Sequence, residues 1–180
     1  AQADAIDAGR QVGRQGQRKP AAAALNPDPL VPTRHERADD APLDRLVPQA
    51  DVVLDCTDNF ATRHAINRAC VRHGKPLVSG AAIRFDGQVT VYDTRSAESP
   101  CYACVFPESV AHEEVRCATM GVFAPLVGII GTIQAAEALK LIAGIGAPLA
   151  GRLLMLDGRA MEWTEIRLPR QAACPVCGPH

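Results

Sequence analysis

The chain has 180 residues, a net charge of −1 and only 4% aromatic residues, enough for one domain with a core of Val, Leu, Ile and Ala. So balanced a charge gives no global field toward nucleic acid or a membrane surface, and neither is an expected partner. Seven cysteines are an odd number, and no charged n-region with an apolar h-region opens the chain. The expectation is a cytoplasmic protein whose cysteines are metal ligands or reactive thiols rather than a disulfide framework.

Residues 1–50 are rich in Gln, Arg, Ala and Pro and read as an irregular part of a single 1–180 domain. Ala21–Leu25 suits a short helix, ended by Asn26-Pro27-Asp28-Pro29 because proline lacks an amide donor and disfavours helix before itself. From residue 51 the pattern sharpens. Asp51-Val-Val-Leu-Asp55 is a β-branched run that predicts a buried strand. Asp58 is placed as the N-cap of a helix over Phe60–Val71, closed by Gly74 with Pro76 beyond. Leu77-Val-Ser79 starts a second strand, and Val89-Thr-Val-Tyr92 a third, after a turn at Asp86-Gly87. The apolar stretch Val122 to Ile133 holds Pro125 and glycines and reads as too short to span a bilayer. Pro125 to Ile142 is the longest predicted helix, with proline in its first turn and Gly144 near its end. Leu153–Leu156, a turn at Asp157-Gly158 and Glu162–Leu168 form a terminal hairpin. The sum is an α/β sheet with an antiparallel extension.

Two C-x₂-C pairs, Cys101-Tyr-Ala-Cys104 and Cys174-Pro-Val-Cys177, carry the clearest chemistry. Each spacing lets two thiolates of one turn reach a single tetrahedral ion, and two such turns close a Cys₄ shell around structural Zn²⁺. A redox pair or an iron–sulfur cluster is the alternative, although a redox pair leaves one motif idle. Asp58-Asn59 stands where the first strand stops and a helix begins, the end of an α/β sheet at which ligands bind. A carboxylate there either holds Mg²⁺ on nucleotide phosphates or merely caps the helix. Cys117 sits in a polar stretch beside Arg116, which would lower a thiol's pKa; alone, an exposed loop cysteine is more often incidental. Cys56 and Cys70 read as core residues.

Together these stretches resemble the ThiF/MoeB/HesA family, relatives of the ubiquitin-activating enzymes. The matching segments are Val53-Leu-Asp-Cys-Thr-Asp-Asn59 with Arg63, Leu77-Val-Ser-Gly-Ala-Ala-Ile-Arg84 with Gly87-Gln88, Cys101–Cys104, Cys117–Pro125, Gly131 with Gln134-Ala-Ala-Glu-Ala138-Leu-Lys140, and Cys174–Gly178. The resemblance implies a Rossmann-like ThiF/MoeB-type sheet and ATP-dependent adenylation of a small ubiquitin-like sulfur carrier, ThiS- or MoaD-like, for thiamine or molybdenum-cofactor synthesis. It implies Asp58 as the Mg²⁺–ATP aspartate with Asn59 beside it, Lys19 and Arg10 (with Gln11) on the ATP phosphates, and Cys117 as the thiol that links to the carrier in some members. It also implies a homodimer, for which the apolar Val122–Ile142 segment offers a face, and a separate protein as sulfur donor.

The sequence departs from the family pattern near its start, where Gln2 stands, or no residue does, at the acidic ribose-binding position expected just before Asp4-Ala-Ile-Asp7. The family opens with a strand and a Gly-x-Gly-Gly-x-Gly-type turn, and no such turn occurs here; the one G-x-G, Gly144-Ile-Gly146, follows a helix. Arg14-Gln15 rivals Arg10-Gln11, because the interval to Lys19 is shorter than the family spacing. The expectation is an N-terminally truncated sheet, with residues 1–50 a remnant of the nucleotide-binding part, 51–180 the well-matched part, and poor ATP binding by the chain as it stands. The competing expectation is an inactive module that docks carriers or dimerises.

Overall fold

The computed structural model describes residues 32–110 and 121–179. Arg10, Lys19 and Cys117, the Ala21–Leu25 helix and the Arg14 alternative lie outside the described residues. In chain order the elements are α1 (Asp40–Leu46), a short 3₁₀ turn (Val47–Gln49), β1 (Val53–Asp55), α2 (Phe60–Arg72), β2 (Leu77–Ile83), β3 (Asp86–Tyr92), α3 (Tyr102–Val105), α4 (Ala124–Ala143), β4 (Arg152–Asp157) and β5 (Glu162–Arg167).

The five strands form one mixed sheet in the order β1-β2-β3-β4-β5. β1 pairs parallel with β2, as a strand–helix–strand crossover requires. The remaining pairs are antiparallel. Alternation along β2 and β3 divides the core in two. Leu77 lies opposite Tyr92, and both pack with Leu43, Val47, Ile66 and Ala69 of the α1/α2 layer. Their neighbours Val78 and Val91, also paired, face the other way, onto Leu126 and Ile130 of α4. The sheet is thus covered by helices on both faces at its β1–β3 side, and the period of two sends alternate residues into separate layers.

Four boundaries differ from the expectation. The run Asp51–Asp55 is not a buried strand: β1 covers only Val53–Asp55, ends the strand order of the described sheet and leaves Leu54 42% exposed. Residues 1–50 are not irregular to their end, because α1 buries Leu43 and Leu46, with Val47 just beyond, in the first core layer. Asp86-Gly87 is not a turn but the start of β3, opposite Ile83 and Ala82. The hairpin turns instead at Arg84-Phe85, with Arg84 at φ +50. That conformation is held by residues across the way, since Arg84 N–H donates to the Gly121 carbonyl (3.0 Å) and Phe123 N–H to the Arg84 carbonyl (2.7 Å). In the terminal hairpin Asp157 belongs to β4, and the turn spans 158–161.

α4 runs for 20 residues at a mean hydropathy of 1.6, long and apolar enough by those measures to cross a membrane. The apolar stretch is longer than Val122 to Ile133 suggests because Pro125 falls in the first turn, where the missing N–H was unpaired anyway. Its inner face carries Gln134 and Glu137 as well as Leu126 and Ile130, all buried. Those two polar side chains are spent on the fold: Gln134 reaches the Asp55 carbonyl, while Glu137 takes the Leu149 amide at 2.7 Å. α4 is a sheet-covering helix, ended as expected by Gly144 at φ +64.

Candidate active site and metal centre

β1 stops at Asp55, and the chain crosses to α2 through Cys56, Thr57, Asp58 and Asn59. Every residue of this crossing except Asp58 is tied down. The Asp55 carboxylate, 1% exposed, accepts from the Thr57 amide (2.9 Å) and hydroxyl (2.7 Å) through Oδ1. The Thr57 carbonyl accepts from the buried Arg63 guanidinium, one turn into α2. Gln134 Nε2 donates to the Asp55 carbonyl at 2.9 Å, so α4 grips the loop from the opposite layer. Gln134 reaches it by crossing over Gly80 of β2; a Cβ at Gly80 would stand 2.4 Å from the Gln134 amide. Cys56 Sγ lies 3.6 Å from Gln134 Oε1.

The N-cap is Asn59, not Asp58. Asn59 has extended backbone angles and its Oδ1 accepts from the Thr62 amide at 2.8 Å. Asp58 is therefore one residue outside the helix and caps nothing, and among the described residues it has no hydrogen bond or ion pair. It is exposed at the carboxyl end of β1, ahead of the partial positive charge of α2's N-terminus. A carboxylate in this position, on a loop fixed by three elements, can hold a hard cation and its oxygen ligands. Cys56 is not a core residue: it is exposed as a residue, although burial of its thiol and the nearby Asp55 charge raise its pKa. Cys70 is buried, and desolvation pushes its pKa up to about 12.

The two C-x₂-C turns do come together. Cys101, Cys104, Cys174 and Cys177 are all buried, with their sulfurs within 4.8 Å of one another. The separations are 3.9 Å for Cys101–Cys104, 3.7 Å for Cys101–Cys174 and 3.5 Å for Cys104–Cys177. A regular tetrahedron with metal–sulfur bonds of about 2.3 Å has edges of about 3.8 Å, so the cage is the size of a four-coordinate thiolate site. The turns are tight enough to need Gly178, whose amide donates to the Cys174 carbonyl at 2.9 Å. A Cβ there would stand 2.5 Å from that same carbonyl oxygen. At Cys174 burial opposes ionisation, but the Cys177 and Val176 amides outweigh it and lower the thiol to about 7.

In the sequence Asp55, Thr57, Arg63 and Gln134 stand out only as family matches, and Asn67 is not among them. One signal was available. Arg63, Ile66, Asn67 and Cys70 follow helical spacing and form the buried stripe of α2, so a polar residue within that stripe has a partner to find.

The ThiF family matches residues 14–176 of the chain. The sulfur carrier protein ThiS adenylyltransferase of Escherichia coli is 46% identical over 154 residues, covering 86% of this chain and 60% of that protein. Molybdopterin-synthase adenylyltransferase of the same organism is 42% identical over 158 residues, covering 88% and 63% respectively. The chain thus spans less than two-thirds of the length of these relatives. Among solved structures, the fold resembles that of E. coli MccB with ATP, at a TM-score of 0.70 and 19% identity, covering 87% of this chain and 48% of that one. With the family matched across the sheet, the Asp58 loop and the first cysteine turn, as far as residue 176 in the second, the chain belongs to the ThiF family.

Proposed function

We propose that the protein carrying this chain adenylates the C-terminal glycine of a ubiquitin-like sulfur carrier at the expense of ATP. The observation that carries the reading is the Asp58 carboxylate, exposed at the carboxyl end of β1 and released from capping by Asn59. The relatives named as adenylyltransferases of ThiS and of molybdopterin synthase support the substrate class.

In this reading Asp58 would hold the Mg²⁺ that accompanies ATP, and Lys19 and Arg10 would supply cationic contacts to the phosphates. The carrier's terminal carboxylate attacks the α-phosphorus. A new P–O bond forms as the bond to the bridging oxygen breaks, and pyrophosphate leaves. Fixed charges stabilise the phosphorus as negative charge builds on its oxygens. The resulting acyl-adenylate is a good electrophile, because AMP departs readily. Cys117 thiolate then attacks its carbonyl, the C–S bond forming as the C–O bond to AMP breaks.

The four-cysteine cage takes Zn²⁺ as a structural ion, since thiolates in a closed tetrahedral shell leave no position for substrate. Dimerisation through α4 completes the proposal. Val127, Leu139 and Ile142 on its outer face are about half or more exposed, with Ile145 just beyond, and an isologous contact would cover them. The test is ATP–pyrophosphate exchange by the full-length protein with a ThiS-like or MoaD-like carrier, with and without Asp58→Ala. Exchange that depends on the carrier and falls in the variant supports the reading; exchange untouched by Asp58→Ala contradicts it.

A further inference from the structure

Asn67 lies in the buried stripe of α2 and is 1% exposed. Its side-chain orientation is fixed by chemistry. Oδ1 accepts from the backbone N–H of Tyr102 at 2.9 Å, and that N–H can only donate. Nδ2 therefore carries the donors, and it faces Cys101 Sγ at 3.7 Å. Both ends of the amide are spent on one turn, the Cys101–Cys104 turn, some 34 residues further along the chain. An apolar side chain would fill the stripe without the desolvation cost of an amide, so packing alone does not account for the residue.

The sulfurs of the first turn differ in how they are served. Cys104 Sγ accepts from a backbone amide, that of Gln171, at 3.5 Å. For Cys101, completely buried, the donor from outside the cage is the Asn67 side chain. N–H donors aimed at a metal-bound thiolate stabilise its charge and fix the direction of its lone pairs, and outer partners of this kind change metal affinity by about 10- to 100-fold. We propose that Asn67 is a positioning residue for the metal centre: it holds the Cys101 thiolate by an N–H···S bond and clamps the first cysteine turn onto α2. The centre is thereby fastened to the same helix whose first turn is capped by Asn59 beside Asp58.

This inference rests on the reading of the cage as a zinc site, and the experiment separates the two. Zinc release from the zinc-loaded full-length protein is followed with a chromogenic chelator for the native protein, Asn67→Ala and Asn67→Asp. Both variants lack the N–H donor, so both should release zinc about 10- to 100-fold faster. After Co²⁺ substitution their thiolate-to-cobalt absorption bands should shift, a signal that loss of packing alone would not move. Release within twofold of the native rate in Asn67→Ala overturns the proposal, as does acceleration in Asn67→Asp alone, which would be an effect of the added charge. Where Asn67→Asp does not fold, Asn67→Ala decides. A native protein that takes up neither zinc nor cobalt overturns the metal reading itself, and the inference with it.

Discussion

Asn59 accepts the Thr62 amide through its own side chain at 2.8 Å, which leaves Asp58, the residue before it, without a structural duty. The two adjacent polar residues should therefore separate stability from activity. Asn59→Ala removes an N-cap and should cost about 1 kcal/mol of stability, while Asn59→Ser should recover most of it. Asp58→Ala should change stability by less than about 0.5 kcal/mol, as an exposed residue does. Its pyrophosphate exchange should nevertheless fall by about 100- to 1000-fold. Thermal melts and exchange assays on the same preparations check both halves, and a large loss of stability in Asp58→Ala would show that its carboxylate is structural after all.

Gly80→Ala should destabilise the protein by about 1–3 kcal/mol, because the new Cβ and the Gln134 amide cannot occupy adjoining space 2.4 Å apart. Displacing Gln134 also strips a donor from the Asp55 carbonyl and loosens the loop before Asp58. Shortening the clashing side chain in a Gly80→Ala/Gln134→Ala double variant should make the two losses less than additive, which a double-mutant cycle measures. Strict additivity would mean that the two residues do not compete for the space.

Asp44 bridges α1 to the end of α2, with its carboxylate against His73 (3.1 Å) and Arg72. The hydrogen bond from His73 and then those from Arg72 hold its pKa below the ordinary 3.8. A carboxylate with a depressed folded-state pKa contributes its stabilisation above the unfolded value and loses it as pH falls through the folded one. Asp44→Asn should accordingly lower the melting temperature slightly at neutral pH and leave it unchanged well below pH 3.8. A difference that persists in acid would assign the effect to packing.

Chelation should lower the melting temperature by more than about 10 °C, since a structural thiolate site adds its binding free energy to folding. Purified protein should carry one zinc per chain. Under limited alkylation Cys117 should label first and Cys56 more slowly, its thiol desolvated and close to Asp55. Cys70, at about 12, should label last of all. Peptide mass spectrometry orders them, and early labelling of Cys70 would contradict its burial.

Much of this was legible in the sequence wherever one signal dominated. The apolar runs marked where β1 to β3 lie, though not that β1 is short with Leu54 exposed, the left-handed Gly144 marked the end of α4, and two C-x₂-C turns announced one cage. The misses share a physical cause, which is tertiary contact overriding a local rule. Asp and Asn are equally good caps, so only the fold decides between Asp58 and Asn59. Asp-Gly is a hairpin signal, yet Gly87 lies within β3 because Ile130 of α4 presses on it; a Cβ there would be 2.8 Å from Ile130 Cδ1. α1 is only seven residues long, too short for periodicity to register, and forms because Leu43 and Leu46 find the core. Asn67 was hidden because its partner turn is distant in sequence.

The most direct measurement of the central claim is mass spectrometry of a ThiS-like or MoaD-like carrier incubated with the full-length protein and Mg–ATP, with the nucleotide products resolved in parallel. The account predicts carrier that gains one AMP less one water, together with carrier joined to Cys117 as AMP leaves, with pyrophosphate released in an amount equal to their sum and no ADP. Unmodified carrier from both classes, or cleavage of ATP to ADP and phosphate, would contradict it.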